Sequence, residues 1–282
     1  MPIFFRKEEV TKLIKQTISS ENSIGLVPTM GSLHKGHLSL IKQAIDSNDI
    51  VWVSIFINPT QFNNQKDFKK YPKNLAKDID LIESISDKIN VFVPNEKEMY
   101  NGVPKLQIYD FKNLDIELEG KYRKNHFNGV ATIVSKLLTL FKPNDVYFGE
   151  KDYQQTQIIR QLVRIEKINV NIIICPTIRE KNGLALSSRN NLLSDFEREK
   201  SAIIFESLTL LKKNFNSLKL ESIKKSIIKS IQKNKKFKVE YLEIADSKTL
   251  QIHKKINPKK SYRAFICVNI NHVRLIDNLL LN

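Results

Sequence analysis

The sequence has little glycine. Eight glycines occur in 282 residues, roughly 3 % where about 7 % is usual. A chain that avoids glycine keeps it where the backbone needs freedom or close approach. Five of the eight, Gly25, Gly31, Gly36, Gly149 and Gly183, fall in or beside the polar segments described below. Cysteine is scarcer still, with Cys175 and Cys267 alone. Each lies in an apolar, strand-like run, so buried free thiols in a reducing compartment are expected rather than a disulfide. Neither forms a C-x-x-C pattern, which removes support for a structural zinc site. No apolar run approaches the ~20 residues of a membrane-spanning helix. Residues 1–10 carry early charges and no apolar signal core. A cytoplasmic protein, neither secreted nor anchored, is therefore expected.

Positive charge is abundant: 46 Lys and Arg stand against 30 Asp and Glu, a formal net charge of +16. Such a balance invites a nucleic-acid reading. That reading needs clustered basic residues with interleaved aromatics. Here the lysines are dispersed. Even the densest stretch, residues 224–238, has Ile227, Ile228 and Ile231 at helical spacing, so its lysines fit a solvated helix face. No nucleic-acid partner is expected, only a general attraction for anions.

Apolar runs and breakers give the order of elements. Strands are expected at 24–27, 50–57, 90–93, 145–148 and 170–175, several of them stopped by proline. Helical spacing lies between them, at 38–45, 75–84, 129–141 and 153–167. Asn74 is a candidate cap. The segment 94–127 shows only short β-like pieces and polar turns. Alternation of strand and helix implies right-handed crossovers and a parallel sheet. After residue 177 the order changes. Helical stretches at 195–214 and 219–235 precede strands at 239–245, 262–269 and 273–276. The expected fold is α/β: a Rossmann-like doubly wound parallel sheet in residues 1–177 and a smaller α+β C-terminal domain in 178–282.

Four polar segments each follow an expected strand, where a parallel sheet presents its ligands. In PTMGSLHKGH (28–37), His34 and His37 stand at the mouth of a helix. Imidazole donors and helix amides together suit a triphosphate. A pair of satisfied surface or core histidines is the bland alternative, and a metal pair lacks a third ligand. In NPTQ (58–61), Asn58 and Gln61 are neutral amides for hydroxyls or carboxylates, or simply a proline turn. In GEKDYQQ (149–155), Gly149 permits close approach, Lys151 offers a point charge to phosphate, and Asp152 can take Mg²⁺ or a ribose hydroxyl. A capped helix start explains the same letters. In the fourth segment, 177–189, the letters LALSSRN bring Ser187, Ser188 and Arg189, which suit charge on pyrophosphate, with a helix cap as the alternative.

Taken together, these segments resemble a known family. PTMGSLHKGH, FINPTQF, YPKNLAKD, LEGKYRKNHFNGVATIVSKL, VYFGEKDYQQ and PTIREKNGLALSSRN follow, in order, the motifs of the pantothenate synthetase (pantoate–β-alanine ligase) family, and VEYLEIAD and VRLIDN resemble its C-terminal part. The resemblance implies a homodimeric, Mg²⁺-dependent, AMP-forming enzyme that joins pantoate to β-alanine through a pantoyl-adenylate. It implies ATP contacts at Met30, Gly31, Ser32, Leu33, His34, Lys35, Gly36, His37, Gly149, Glu150, Lys151, Asp152, Ile178, Leu186, Ser187, Ser188 and Arg189. Gln61, Gln155 and Asn58 would hold substrate, with no dedicated metal ligands among the side chains. His37 matches the family's proton donor, and His34, Lys151 and Arg189 join it as catalytic residues. Three departures stand out: Leu186 for the usual Met, Asn182 for Asp, and Lys124-Asn125 for Pro-Gly. A different nucleotidyltransferase shares the H-x-G-H segment, but the paired glutamines and C-terminal motifs speak against it. An aminoacyl-tRNA synthetase would need a further tRNA-reading domain.

Overall fold

The computed structural model of the chain describes residues 1–217, 219–253 and 256–282, with the backbone alone for 65–67. In chain order its elements are β1 (Ile3–Phe4), α1 (Lys7–Ser19), β2 (Ile24–Thr29), α2 (Lys35–Ser47), β3 (Ile50–Ile55), α3 (Gln65–Lys70), α4 (Leu75–Glu83), β4 (Asn90–Phe92), α5 (Glu96–Tyr100), α6 (Glu119–Tyr122), α7 (His126–Phe141), β5 (Asp145–Gly149), α8 (Tyr153–Glu166) and β6 (Asn171–Cys175). They continue with α9 (Asp195–Lys200), α10 (Ile203–Lys213), α11 (Leu220–Ile231), β7 (Phe237–Asp246), β8 (Tyr262–Ile270) and β9 (Val273–Leu280). The chain divides into two compact units. One holds residues 1–111, 123–150 and 155–176; the other holds 112–122, 151–154 and 177–282.

The first unit is built on a six-stranded sheet of order β1-β4-β3-β2-β5-β6. All its pairings are parallel. From β2 the chain winds outward through β3 and β4, then returns to lay β5 on the other side of β2. The carboxyl ends of β2 and β5 thus flank the point where strand order reverses, the place where an open α/β sheet leaves a crevice for ligands. Both faces of the sheet are covered, which explains the unbroken apolar run of β3. Val51, Val53 and Ile55 share a core with Leu40, Ile41 and Ala44 of α2 and Ile82 of α4. Trp52 points the other way, with its ring 5.0 Å from Phe141 on α7 and 5.1 Å from Phe4.

The second unit carries an antiparallel sheet of order β7-β8-β9. Ala264, Ile266, Val268 and Ile270 of β8 share a core with Ile204, Leu208 and Leu211 of α10 and Ile227 and Ile231 of α11. The alternate residues Phe265 and Cys267 meet Leu114 and Leu118 on the opposite face. Residues 112–122, featureless as a sequence, are therefore the second cover of this sheet.

The doubly wound fold follows the sequence reading, and several details differ from it. β1 and α1 were not expected: two residues are too few to show a period, and the buried stripe of α1 is only Val10, Ile14 and Thr17. α7 starts at His126, three residues before Gly129, because His126 and Asn128 are buried polar groups that break the apolar pattern. The helical stretch at 195–214 is two helices. Ser201 lies between them, and its hydroxyl donates back to the Glu197 carbonyl at 2.6 Å, a bond that bends helices. β9 extends to Leu280, past the expected 276, since Asp277 and Asn278 are polar yet buried. Both cysteines are buried and free. Among the described residues no helix is long and apolar enough to cross a membrane.

Candidate active site

In the first unit, the residues at which the chain enters the four polar segments, Pro28, Asn58, Gly149 and Pro176, all leave the carboxyl edge of one parallel sheet. The turn after β2 is tight. Gly31 has φ +76°, and a Cβ there would meet Asp78 Oδ2 at 2.9 Å. Ser32 follows in the left-handed region at φ 52°. Asp78 of α4 holds this turn: its carboxylate accepts the Ser32 amide at 2.8 Å and the Leu33 amide at 2.6 Å. Burial pushes the Asp78 carboxyl above the ordinary carboxylate range, against the pull of the Leu33 and Ser32 amides.

His34 then caps α2. Its Nδ1 accepts the Gly36 amide at 3.1 Å, and His37 Nδ1 accepts the His34 amide at 3.3 Å. An Nδ1 that accepts an amide proton leaves the ring proton on Nε2. Both imidazoles stand beside the amides of a helix N-terminus. The rings lie 4.1 Å apart. Lys35, between them, is exposed.

Asn58 and Gln61 are buried and joined to this turn. Asn58 Nδ2 donates to Gln61 Oε1 at 3.1 Å and to the Gly129 carbonyl at 3.0 Å. Gln61 Nε2 lies 3.0 Å from Met30 Sδ. Behind them stand groups that the sequence reading did not single out. The Tyr100 hydroxyl donates to Asn58 Oδ1. His126 donates from Nδ1 to the Gln61 carbonyl at 2.7 Å. Gly129 is needed sterically, since a Cβ there would lie 2.3 Å from the Thr60 carbonyl oxygen. His126 and Gly129 sat within a motif already quoted, whereas Tyr100 lay in the segment without a period. Asn125, the N-cap of α7, has φ 61°. Asparagine tolerates this left-handed conformation, so it can serve where the family has glycine. At the end of β5, a Cβ on Gly149 would meet nothing within 4 Å. Gln155 is half-buried in the first turns of α8.

The second unit carries the remaining site residues. Lys151 Nζ lies 3.0 Å from Asp152 Oδ1, with the Asp152 side chain 42 % exposed. Residues 178–186 form a hairpin: Leu186 donates to the Ile178 carbonyl at 3.0 Å, and Glu180 to the Leu184 carbonyl at 2.8 Å. Asn182 turns it. Its Nδ2 donates to the carbonyls of Arg198 at 3.2 Å and Glu199 at 3.4 Å. A carboxylate could not make those bonds, which accounts for asparagine at this position. Ser187 then accepts the Arg189 amide at 3.3 Å and starts a short 3₁₀ turn. Ser188 is buried within it. Asn190 fixes the turn, donating to Glu180 Oε1 at 3.0 Å and the Ala185 carbonyl at 3.1 Å. Among the described residues no three His, Cys, Asp or Glu side chains gather as a metal cage.

Fold and site define a Rossmann-like α/β enzyme whose binding turns are lined with hydrogen-bond donors. A family model for pantoate-beta-alanine ligase matches residues 2–280. The pantothenate synthetase of Flavobacterium psychrophilum is 44 % identical over 279 residues, covering 99 % of each chain. That of Christiangramia forsetii is 45 % identical over 285 residues, covering 100 % of each. The crystal structure of pantothenate synthetase from Thermus thermophilus superposes with a TM-score of 0.88 at 32 % identity, covering 100 % of this chain and 99 % of that one. The ligase from Francisella tularensis, complexed with beta-gamma ATP and beta-alanine, superposes with a TM-score of 0.83 at 40 % identity, covering 100 % and 98 %. The chain belongs to the pantoate–β-alanine ligase family. It is a ligase that forms a C–N bond, making pantothenate from pantoate and β-alanine.

Proposed function

We propose that the chain condenses (R)-pantoate with β-alanine at the expense of ATP, through a pantoyl-adenylate. A carboxylate is ionised near neutral pH and needs no base to attack phosphorus. Its oxygen forms a bond to the α-phosphorus as the bond to the β-phosphate oxygen breaks, and pyrophosphate leaves. The neutral amine of β-alanine then attacks the acyl carbon. A C–N bond forms, the amine loses a proton, and AMP departs with the electrons of the C–O bond. Catalysis is then positioning plus stabilisation of phosphate charge.

The observation that carries this reading is the placing of His34 and His37 together at the N-terminus of α2, directly after a strand of the parallel sheet, where their Nδ1 atoms accept the Gly36 and His34 amides. Met30 to His37, Gly149 to Asp152, Ile178 and Leu186 to Arg189 are assigned to ATP. Of these, His34, His37, Lys151 and Arg189 meet phosphate charge. Gln61, Gln155 and Asn58 are assigned to pantoate, with Gln61 also near β-alanine. The Francisella ligase, complexed with beta-gamma ATP and beta-alanine, supports both ligand classes.

Mg²⁺ fits this donor set as the ion carried by the triphosphate. It keeps most of its water and needs only one or two carboxylates beside phosphate oxygens. Asp152, partly exposed beside Lys151, is such a carboxylate. When bound, the ion would neutralise phosphate charge. A homodimer in the cytoplasm completes the proposal.

The test is a mixture of ATP, Mg²⁺, pantoate and β-alanine, followed for pantothenate, AMP and pyrophosphate. Pyrophosphate release from ATP and pantoate alone is expected before β-alanine is added. Release of ADP and phosphate instead would overturn the adenylate route.

A further inference from the structure

The segments that carry Lys151 and Ser187–Arg189 are far apart in sequence, and a third element of the same unit ties them together. Asp277 and Asn278 follow one another on β9, and both are buried, at 3 % and 4 % exposure. Asp277 takes hold of the hairpin. Its carboxylate accepts Arg179 Nη1 at 2.6 Å and Nη2 at 3.0 Å. The same guanidinium donates to the Gly183 carbonyl at 3.1 Å and lies 3.8 Å from the Phe205 ring centroid. Arg179 therefore crosses the hairpin from its first strand to its turn. Asn278 takes hold of the other segment, donating from Nδ2 to the Lys151 carbonyl at 2.8 Å. Its Oδ1 accepts Arg263 Nη1, and the Arg263 guanidinium lies 4.1 Å from the Tyr153 ring centroid. The orientation of the Asn278 amide is thus fixed: oxygen towards Arg263, nitrogen towards Lys151.

We infer that Asp277 and Asn278 are a positioning pair for the ligase reaction, which hold the Lys151 turn and the 178–186 hairpin that leads into Ser187–Arg189 at a fixed separation. The inference rests on the assignment of those two segments to the phosphates of ATP. Neither residue need touch substrate. Each grips one segment through a bidentate or amide bond that a smaller or differently charged side chain cannot reproduce. Adjacent residues on one strand cannot move independently, so the two segments share one reference. A displacement of about 1 Å at a group that stabilises a transition state can lower turnover by roughly 10²-fold.

The experiment compares Asn278→Asp and Asp277→Asn with Lys151→Ala and the unaltered protein. Asn278→Asp keeps the oxygen for Arg263 and turns a second oxygen towards the Lys151 carbonyl. Asp277→Asn keeps the shape and loses the charge that pairs with Arg179. Pyrophosphate release and the KM values for ATP and β-alanine are measured, each normalised to the folded fraction from circular dichroism. Expected are 10- to 100-fold losses in kcat/KM for ATP in both variants, with the KM for β-alanine within about twofold. Ile231→Val, on α11 and outside both segments, serves as control and keeps full turnover per folded molecule. Normal turnover per folded molecule in both variants, with Lys151→Ala impaired, would overturn the positioning role alone. Normal turnover in Lys151→Ala would overturn the phosphate assignment beneath it. Failure of both variants to fold would make the pair structural and would also overturn the inference.

Discussion

The carboxylate of Asp78 accepts the backbone amide of Leu33 at 2.6 Å across 45 residues of sequence. With the Ser32 amide held at 2.8 Å by its other oxygen, it sets the turn from which His34 and His37 project. Asp78→Ala leaves two amides without an acceptor, one of them in a buried residue, and is expected to lower stability by roughly 2–4 kcal/mol. Asp78→Asn keeps one acceptor and should lose about half as much. Urea unfolding and pantothenate formation, measured on all three proteins, would show stability and turnover falling in the same order.

Gly129 lies against the Pro59–Gln61 turn, and a Cβ there would come within 2.3 Å of the Thr60 carbonyl oxygen and 2.7 Å of Gln61 Cα. Both neighbours are backbone, so the turn itself must move. Gly129→Ala is expected to lower stability by about 1–3 kcal/mol. Because Gln61 moves with the turn, the KM for pantoate should rise as well. An unchanged KM in a destabilised variant would separate Gln61 from pantoate binding.

Asn182 was a departure from the family pattern, and its amide donates to two carbonyls of the α9 C-terminus. Asn182→Asp places a charge where donors are needed. Thermal unfolding should report a loss of about 1–2 kcal/mol, with ATP-dependent turnover reduced less than tenfold because the Arg179 grip on the hairpin remains.

Asp246 gives a pH dependence. Burial alone would raise its carboxyl, but the Thr249 and Lys248 amides and the Lys260 ammonium at 3.2 Å outweigh burial and hold it below the ordinary range. In the unfolded chain an aspartate titrates near ~3.9. The folded state therefore binds its proton less tightly, and this contribution to stability is present above that value and lost as pH falls through the folded pKa. Urea midpoints from neutral to acid pH should decline less steeply for Asp246→Asn than for the parent, starting from a lower value.

Lys151→Ala and His37→Ala are each expected to lower adenylate formation by roughly 10²- to 10³-fold, the usual effect of losing one donor to developing charge. Circular dichroism should show both folded. Near-normal pyrophosphate release in either would remove that residue from the mechanism.

Much of the fold was legible because periodicity is local. The runs at β2, β3 and β5 are largely apolar on both pleats, as strands covered on both faces must be, and the helices between them carry their own stripe. What was not legible is equally physical. β1 is two residues long, and residues 112–122 have no period because they pack as an irregular cover over β8. The break between α9 and α10 falls at residues 201–202, where apolar spacing alone gives no sign of it.

The sequence by itself determined which chemical groups the chain has and in what order it presents them: two histidines before a helix, a lysine and a hydroxyl–arginine pair after later strands. Those are properties of residue type and neighbouring residues, and they survive without coordinates. Only the tertiary structure decided that the Nδ1 atoms of His34 and His37 accept backbone amides, that Asp78 shapes their turn, and that Asp277 and Asn278 each grip a different segment of the second unit. Each of these depends on hydrogen-bond partners, and for the last two the partners are tens of residues or more apart. Such partners meet only when burial of apolar faces has fixed where the backbone runs.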